Sequence, residues 1–296
     1  MITMVNWDKF KCRCSAIKKM LSNGTEGQQI TEKQQKELKR LQEKERTDRQ
    51  EEEMQRLLKL KANSGNVVLG ATCIEYLMEV YAWETQGMIS VSKESVDAMQ
   101  LRKGKEGEHE AGKLLMKVDG EFYLQHKERI SNDYLSGEID YYLGESIYKA
   151  KNITDIKNSF DYPTFLKKIN NGLENGQREQ LAGYGDITGA PDLFIANCLI
   201  SFTPQMIEDM KWKVLRKTGA ATEESIEFLE EWVKFYRSMV FDHMNPELRV
   251  FKIKVEPFSK FDQQKVYDRV KYCRDWLWKF DESYQNCTHL HQNNAT

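Results

Sequence analysis

The fold is decided by two short stretches, Gly137-Glu138-Ile139-Asp140 and, after a turn at Gly144, Asn152-Ile153-Thr154-Asp155-Ile156-Lys157-Asn158-Ser159. Both stretches and their surroundings carry the Ile, Tyr and Leu residues typical of strands and are interrupted by glycine. Side chains alternate along a strand, so Asp155 and Lys157 share one face and Ile156 points to the other. If the two segments pair as a hairpin, Asp140 lies beside Asp155. The sequence therefore predicts two carboxylates and an ammonium at one end of a sheet.

These three side chains have a defined chemistry. Hard divalent cations prefer carboxylate oxygens, and a lysine beside a bound cation can orient or stabilise an attacked phosphate. For the triplet Asp155-Ile156-Lys157 alone, a solvated hairpin with ordinary charges is the better interpretation. A catalytic interpretation depends on the residues that accompany the triplet elsewhere in the chain.

Length and composition allow one large domain or two small ones. Of the 296 residues, 40% are hydrophobic and 11% aromatic, which is enough for a substantial core. The 44 basic and 46 acidic residues nearly balance, so the totals predict no bulk attraction to nucleic acid. Residues 1–62 hold 15 of the basic and 10 of the acidic residues, a net charge of +5 against −7 for the remainder. An acidic remainder suits a metal site, and a basic segment suits a polyanion.

The cysteines argue against a metal bound by thiolates. Only Cys12 and Cys14 among the six are close in sequence, and no C-x-x-C pair occurs, which is atypical of zinc ribbons and iron–sulfur clusters. The sequence has no signal-peptide pattern and no apolar run long enough to cross a bilayer. We therefore expect a reducing, cytoplasmic setting and no membrane contact.

Helical patterns dominate the N-terminal part. Residues 6–22 are predicted as a short amphipathic helix ended by Asn23-Gly24. The segment from Thr31 to Lys61 is almost all polar and is predicted as a single helix or a helical hairpin, with Thr31 as its N-cap and a break at 63–66. Residues 69–86 form a helix with a fuller apolar face.

The rest of the chain mixes strands and helices. Strands are predicted over the two opening stretches, 121–125, 128–131, 190–202 and 249–255, and helices over 93–117, 160–170, 177–188, 204–217, 223–244 and 261–280. This order predicts an α/β (α+β) fold with a central mixed β-sheet flanked by helices. We divide the chain into an N-terminal helical arm over residues 1–62 packed on the core, a core over 63–285, and a frayed tail over 286–296.

A third acidic candidate, Glu108, lies in the predicted helix 93–117. Its neighbours one helical turn away are small, namely Gly104, Ala111 and Gly112. Small residues around a carboxylate allow a backbone, a metal or a phosphate to approach closely. Glycine inside a helix costs about 1 kcal/mol relative to alanine, so two glycines around one acid need a reason. Glu108 is a candidate metal ligand, with tight helix packing as the alternative.

The charged residues around Glu108 are expected to face solvent. Arg102 and Lys103 lie one turn before Glu106, and Lys113 follows Glu110, a pattern typical of a solvated charged face. His109 is expected to pack or to contact a phosphate rather than to bind the metal.

The predicted helix 177–188 places Gln177, Gln180 and Tyr184 on one face. Polar donors beside an aromatic ring could hold a phosphate or a nucleophilic water. An ordinary mixed surface face is an equal alternative from the spacing alone.

In chain order, the pieces are a glutamate on a helix, G-x-x-D, D-x-K after a short hairpin, and a helix with Gln and Tyr. Together they resemble the PD-(D/E)xK nuclease superfamily, above all phage-type recombination exonucleases of the lambda exonuclease and YqaJ kind, related to the RecB nuclease domain. The resemblance covers most of the chain, and its matching segments are Glu108-His109-Glu110-Ala111, Gly137-Glu138-Ile139-Asp140, Asp155-Ile156-Lys157 and Gln180-Leu181-Ala182-Gly183-Tyr184. The residue before Asp140 is Ile139, whereas the superfamily motif PD-(D/E)xK has proline at this position. The acid of the D-x-K triplet is Asp155, at a position where the motif permits Asp or Glu.

The resemblance implies a restriction-endonuclease-like core and a metal-dependent deoxyribonuclease. One or two Mg²⁺ ions, with Mn²⁺ as a substitute, would be held by Glu108, Asp140, Asp155 and the carbonyl of Ile156. The same three acids would act in catalysis together with Lys157, which would position and polarise the attacking water and the phosphate. Since a lysine among three carboxylates stays protonated, its role is first electrostatic and orienting.

The resemblance also assigns roles beyond the metal. Gln180 would help fix the attacking water or Lys157, and Tyr184 would pack against or contact the DNA backbone. Gln177 and His109 are further candidates for substrate binding.

The function implied is a DNA exonuclease of phage-type recombination or repair, acting in the cytoplasm, which is the host cytoplasm if a phage encodes the chain. DNA would be the partner, and the resemblance also implies a single-strand annealing protein and a homo-oligomer. The alternatives are a non-cleaving DNA-binding module, an adaptor built on the N-terminal arm, and a DNA endonuclease. All the acidic positions are present, which argues against the first, and no added recognition domain is evident, which ranks the endonuclease below the exonuclease.

Overall fold

The computed structural model describes residues 5–24, 30–43, 47–62, 68–89 and 99–293, with side chains as far as residue 286. Contacts divide the chain into two compact units. One comprises Met1–Phe10, Ala16–Ile89 and Val266–Thr296, and the other comprises Lys11–Ser15 and Ser90–Lys265. The first is helical where the structure describes it, and the second is built on a sheet. The predicted boundary after residue 62 falls inside the first unit, and the predicted break at 63–66 lies outside the described residues.

The helices of the described chain are, in order, α1 Ile17–Met20, α2 Glu32–Gln42, α3 Asp48–Ala62, α4 Ala71–Gln86, α5 Met99–Glu106, α6 Glu108–Asp119, α7 Tyr162–Asn171, α8 Gln177–Thr188, α9 Pro204–Thr218, α10 Ile226–Arg237 and α11 Lys260–Asn293. None of the helices in the described ranges is long and apolar enough to cross a membrane. Helix α11 extends past the predicted end at residue 280, into the segment that we predicted to be frayed.

Helices α2 and α3 form a helical hairpin, one of the two arrangements predicted for this segment. Thr31 caps α2 as predicted, because its hydroxyl accepts a hydrogen bond from the Gln34 amide while the Gln34 side chain accepts one from the Thr31 amide. The hairpin is held by a narrow apolar seam, Leu38, Leu41, Met54, Leu57 and Leu60. The other faces of both helices are exposed, which explains why the sequence here is nearly all polar.

The predicted amphipathic helix over residues 6–22 is wrong. The structure has short 3-10 turns at Trp7–Lys9 and Cys14–Ala16, a strand between them, and only the four-residue helix α1. Asn6 caps the first turn by accepting a hydrogen bond from the Asp8 amide. A two-residue strand is too short to show an alternation of apolar and polar residues. The apolar residues on either side of it therefore have a spacing that is also typical of a helix.

The second unit is built on a mixed six-stranded sheet, and the predicted fold class is confirmed. Its strands are β1 Cys12–Arg13, β2 Leu124–Ser131, β3 Leu135–Gly144, β4 Ala150–Asn158, β5 Asp192–Cys198 and β6 Val250–Val255. The strand order is β1-β3-β4-β5-β6, with β2 also paired to β3. The pairs β1–β3 and β4–β5 are parallel, and the other pairs are antiparallel. Strand β2 replaces the two short strands predicted over 121–131, with register shifts along it.

Helices α6 and α8 cover opposite faces of this sheet. Helix α6 packs its Ala111 and Leu115 against a core that includes Ile156 of β4. Gln180 of α8 instead donates to Asp155, the neighbour of Ile156, whose side chain points to the other face. The two helices therefore sandwich the strand that carries the D-x-K triplet.

The glycine that follows Glu108 by one turn serves packing. A Cβ atom on Gly112 would lie 2.1 Å from the hydroxyl oxygen of Tyr141 on β3, so only glycine allows this close approach of α6 to the sheet. No atom lies within 4 Å of the corresponding position on Gly104. Tight helix packing, the alternative interpretation of these glycines, holds for Gly112.

Gly112→Ala is expected to destabilise the protein by about 1–3 kcal/mol, because the added methyl forces Tyr141 away from the helix. The matched control is Gly104→Ala, which adds the same methyl in open space within α5 and should be neutral or stabilising by up to about 1 kcal/mol. Urea denaturation of both variants measures the difference, and equal midpoints would contradict the packing role.

Two predicted helices have different limits. The helix predicted over 93–117 is interrupted at Gly107, and its start before residue 99 lies outside the described residues. A side chain at Gly107 would collide with Ile200, since a Cβ atom there would lie 2.2 Å from its Cδ1. The helix predicted over 223–244 ends at Arg237, and the backbone of Met239 accepts a hydrogen bond from Phe202 instead.

Candidate functional site

The hairpin of β3 and β4 brings Asp140 beside Asp155, as the sequence indicated. The register pairs Tyr141 with Thr154, and the next position along it places Asp140 opposite Asp155. The Asp140 carboxylate accepts a hydrogen bond of 2.8 Å from the backbone N–H of Ile156. Two acids on adjacent strands therefore share one face of the sheet.

Lys157 completes this cluster. Its ammonium lies 2.6 Å from Oδ2 of Asp155, whose side chain is 4% exposed against 30% for Lys157. Burial lowers the pKa of Lys157, but the charge and hydrogen bond of Asp155 outweigh burial, and the net pKa is raised. Lys157 is therefore protonated, as expected, and it offers a fixed positive charge on a partly open side chain.

The two carboxylates repel each other. Burial and the charge of Asp155 raise the pKa of Asp140 to about 7, although the Ile156 N–H and Lys157 act in the opposite direction. Oδ2 of Asp155 is buried. Besides the Lys157 ammonium, no group among the described residues donates a hydrogen bond to it. Crowded carboxylate oxygens with spare acceptor capacity are suited to a hard divalent cation.

Glu108, the third predicted ligand, is the first residue of α6 and is exposed. Its charge contributes to the raised pKa of Asp140, which places its carboxylate within electrostatic range of that acid. In the part of the chain that the structure describes, no three acidic, histidine or cysteine side chains are grouped closely enough to enclose a metal ion. The structure thus assembles two of the three predicted carboxylates. His109 is also exposed, so it is available to a phosphate and does not pack.

Helix α8 supports the cluster from one side. The side-chain amide of Gln180 donates to Oδ1 of Asp155 at 3.3 Å and to the hydroxyl of Tyr184 at 2.9 Å. Gln180 therefore orients Asp155, whereas the resemblance assigned it to the water or to Lys157. Burial and the charge of Asp155 raise the pKa of Tyr184.

Tyr184 and Gln177 lie inside the protein, at 4% and 7% exposure. A Cβ atom on Gly137 would lie 2.4 Å from Cε1 of Tyr184, so the glycine of G-x-x-D makes room for this ring. Gln177 accepts a hydrogen bond from the backbone N–H of Glu174 and donates one to its carboxylate, which closes the turn before α8. Neither side chain has the exposure that the predicted contact with DNA requires, because each is used to hold α8 in place.

One buried lysine near the site was not predicted from the sequence. Lys103, which we expected on a solvated face, is only 2% exposed. The spacing of the sequence could have indicated its burial. Lys103, Gly107 and Ala111 are four residues apart and lie on the helical face that packs against the sheet.

No family model and no curated protein matches this chain. Solved structures do match it over nearly the whole length. A phage-related exonuclease from Haemophilus somnus 129PT is 16% identical with a TM-score of 0.57, covering 93% of this chain and 97% of that one. An alkaline exonuclease (LHK-Exo) from Laribacter hongkongensis is 11% identical with a TM-score of 0.53, covering 94% and 93%. LHK-Exo in complex with dAMP is 9% identical with a TM-score of 0.52, covering 95% and 96%. The chain therefore has the fold of these exonucleases, which confirms the predicted resemblance at the level of the fold.

Proposed function

We propose that the protein is a metal-dependent DNA exonuclease that hydrolyses phosphodiester bonds. The observation that carries this proposal is the ion pair between the buried Asp155 and the partly exposed Lys157, beside Asp140 on one face of the sheet. It occurs in a fold that matches exonucleases over 93% or more of this chain. One of those exonucleases was solved with the mononucleotide dAMP, which supports DNA as the substrate.

The proposed cofactor is Mg²⁺, with Mn²⁺ as a substitute. Asp140, Asp155 and the carbonyl of Ile156 would hold it, and Glu108 would add a third carboxylate. All of these ligand atoms are oxygens, which hard divalent cations prefer. The metal would supply a nucleophile near neutral pH and offset the charge that develops on the attacked phosphate.

The chain's own side chains would then orient the reaction. The Lys157 ammonium, held by Asp155, would offset negative charge on the attacked phosphate. Gln180 would keep Asp155 in the orientation that presents its oxygens to the cation.

Digestion of linear and closed circular DNA tests the reaction and the alternatives together. With Mg²⁺, the protein is expected to release mononucleotides from an end-labelled linear duplex and to spare a circle of the same sequence, with no cleavage in EDTA. Cleavage of the circle would support the endonuclease. Binding of the duplex without cleavage of either form would support the non-cleaving DNA-binding module.

Thermal denaturation distinguishes the adaptor alternative. A cation site should raise the stability by about 2.7 kcal/mol at a Mn²⁺ concentration of 100 times the dissociation constant. An adaptor without the site would melt at the same temperature with and without Mn²⁺.

The biological role that we propose is phage-type DNA recombination or repair in the cytoplasm. A single-strand annealing protein as a partner and assembly into a homo-oligomer rest on the resemblance alone. Co-purification with an annealing protein and the mass of the particle in solution would test these two points.

A further inference from the structure

The junction between α5 and α6 immediately precedes Glu108, the acid that the structure does not bring into the Asp140–Asp155 cluster. The position of Glu108 depends on how this junction is held. Lys103 and Asn158 tie it to the end of β4, three residues after Asp155.

Lys103 supplies the first of these ties. Its ammonium donates hydrogen bonds of 2.9 Å to the carbonyl of Ser159 and 2.7 Å to the carbonyl of Phe160, directly after β4. It also lies 4.3 Å from the ring centroid of Phe202 and 5.3 Å from that of Phe241. The side chain is enclosed by two carbonyls and two aromatic faces, a complete site for a cation.

Asn158, the residue after Lys157, supplies the second tie. Its side-chain amide donates to the carbonyl of Gly104 at 3.2 Å. A Cβ atom on Gly107 would lie 3.3 Å from the same amide nitrogen and 2.2 Å from Cδ1 of Ile200. At Gly107 the junction therefore packs closely against Asn158 and Ile200, whereas the space beside Gly104 is open.

Burying a charged lysine at this position is energetically unfavourable. Burial lowers the pKa of Lys103 to about 7, and only the charge of Asp161 opposes the effect. An apolar side chain of similar length would fill the space without this desolvation cost. An apolar side chain could not hold the carbonyls of Ser159 and Phe160, which directly follow β4, and the lysine does so through its two hydrogen bonds.

We propose that Lys103 and Asn158 are positioning residues that set the distance between Glu108 and the Asp140–Asp155 pair, and with it the affinity for the divalent cation. They act through the helix junction and touch neither the metal nor the DNA. The inference rests on the proposed function, since it assumes that Glu108 is the third ligand.

The test compares Lys103→Met and Asn158→Ala with the control Lys105→Met, which changes an exposed lysine on the same helix. Both positioning variants are expected to raise the Mn²⁺ concentration that gives half of the maximal thermal shift by roughly tenfold. We expect kcat to fall by a similar factor and KM for DNA to stay within about twofold, because no DNA contact is removed. The control should match the wild type in all three measurements.

The outcomes separate this inference from the proposed function. If the wild type neither cleaves DNA nor responds to Mn²⁺, both fall. If the wild type does both, a folded Lys103→Met with an unchanged half-saturating Mn²⁺ concentration overturns the inference alone, even if its melting temperature drops. If Lys103→Met does not fold, Asn158→Ala decides by the same measurement.

Discussion

Asp155→Asn is expected to abolish cleavage of linear DNA, with a loss of roughly a thousandfold or more, while the protein stays folded. The substitution removes the negative charge that would bind the cation and hold the Lys157 ammonium. Asparagine fills the same volume and can still accept the hydrogen bond from Gln180. Lys157, being 30% exposed, can turn towards water when its partner charge is lost.

The measurement is the rate of mononucleotide release from an end-labelled duplex at saturating Mg²⁺, with circular dichroism to verify folding. The matched control is Glu138→Gln, an exposed acid two residues before Asp140 whose ion pair with Arg129 measures 2.5 Å. An exposed ion pair contributes little, so the control should retain activity within about twofold. Mg²⁺-dependent cleavage by pure, folded Asp155→Asn would contradict the site.

The part of this site that the sequence predicts is the part encoded by neighbouring residues. Because side chains alternate along a strand, Asp155 and Ile156 point to opposite faces of the sheet. In a hairpin whose two strands are joined through Gly144, the register places Asp140 opposite Asp155. Likewise, the Thr31 cap depends on a residue three positions away. Short-range rules of this kind apply before any tertiary contact forms.

The features that the sequence did not predict depend on distant partners. The break between α5 and α6 requires glycine because Ile200, far along the chain, occupies the space where a Cβ atom at position 107 would lie. Lys103 resembles a surface residue until Phe202 and Phe241 enclose it. From the sequence alone, Tyr184 could equally face solvent. In the fold its ring lies in the space that Gly137 leaves free because glycine has no side chain. Tertiary packing overrides the local pattern in each case.

Asp140→Asn is expected to inactivate the nuclease and, in metal-free buffer above neutral pH, to stabilise the fold by roughly 2 kcal/mol. Burial and the charge of Asp155 raise the pKa of Asp140 from 3.8 to about 7. The folded state therefore favours the protonated carboxyl. Its contribution to stability is fully present below pH 3.8 and is lost as the pH rises through about 7. Asparagine is neutral throughout and can still accept the hydrogen bond from Ile156.

Urea denaturation in EDTA at pH 5 and pH 8 measures this difference. The free energy of unfolding of the wild type should decrease from pH 5 to pH 8 by more than that of Asp140→Asn. The variant lacks this carboxyl and therefore its pH-dependent contribution to stability. Adding Mn²⁺ at pH 8 should restore stability to the wild type more than to the variant, because the cation offsets the repulsion between Asp140 and Asp155. A variant that is less stable than the wild type at pH 8 without metal would show that the buried acid serves the fold. A variant that is more stable but inactive would show that the acid is retained, at a cost in stability, for the cation.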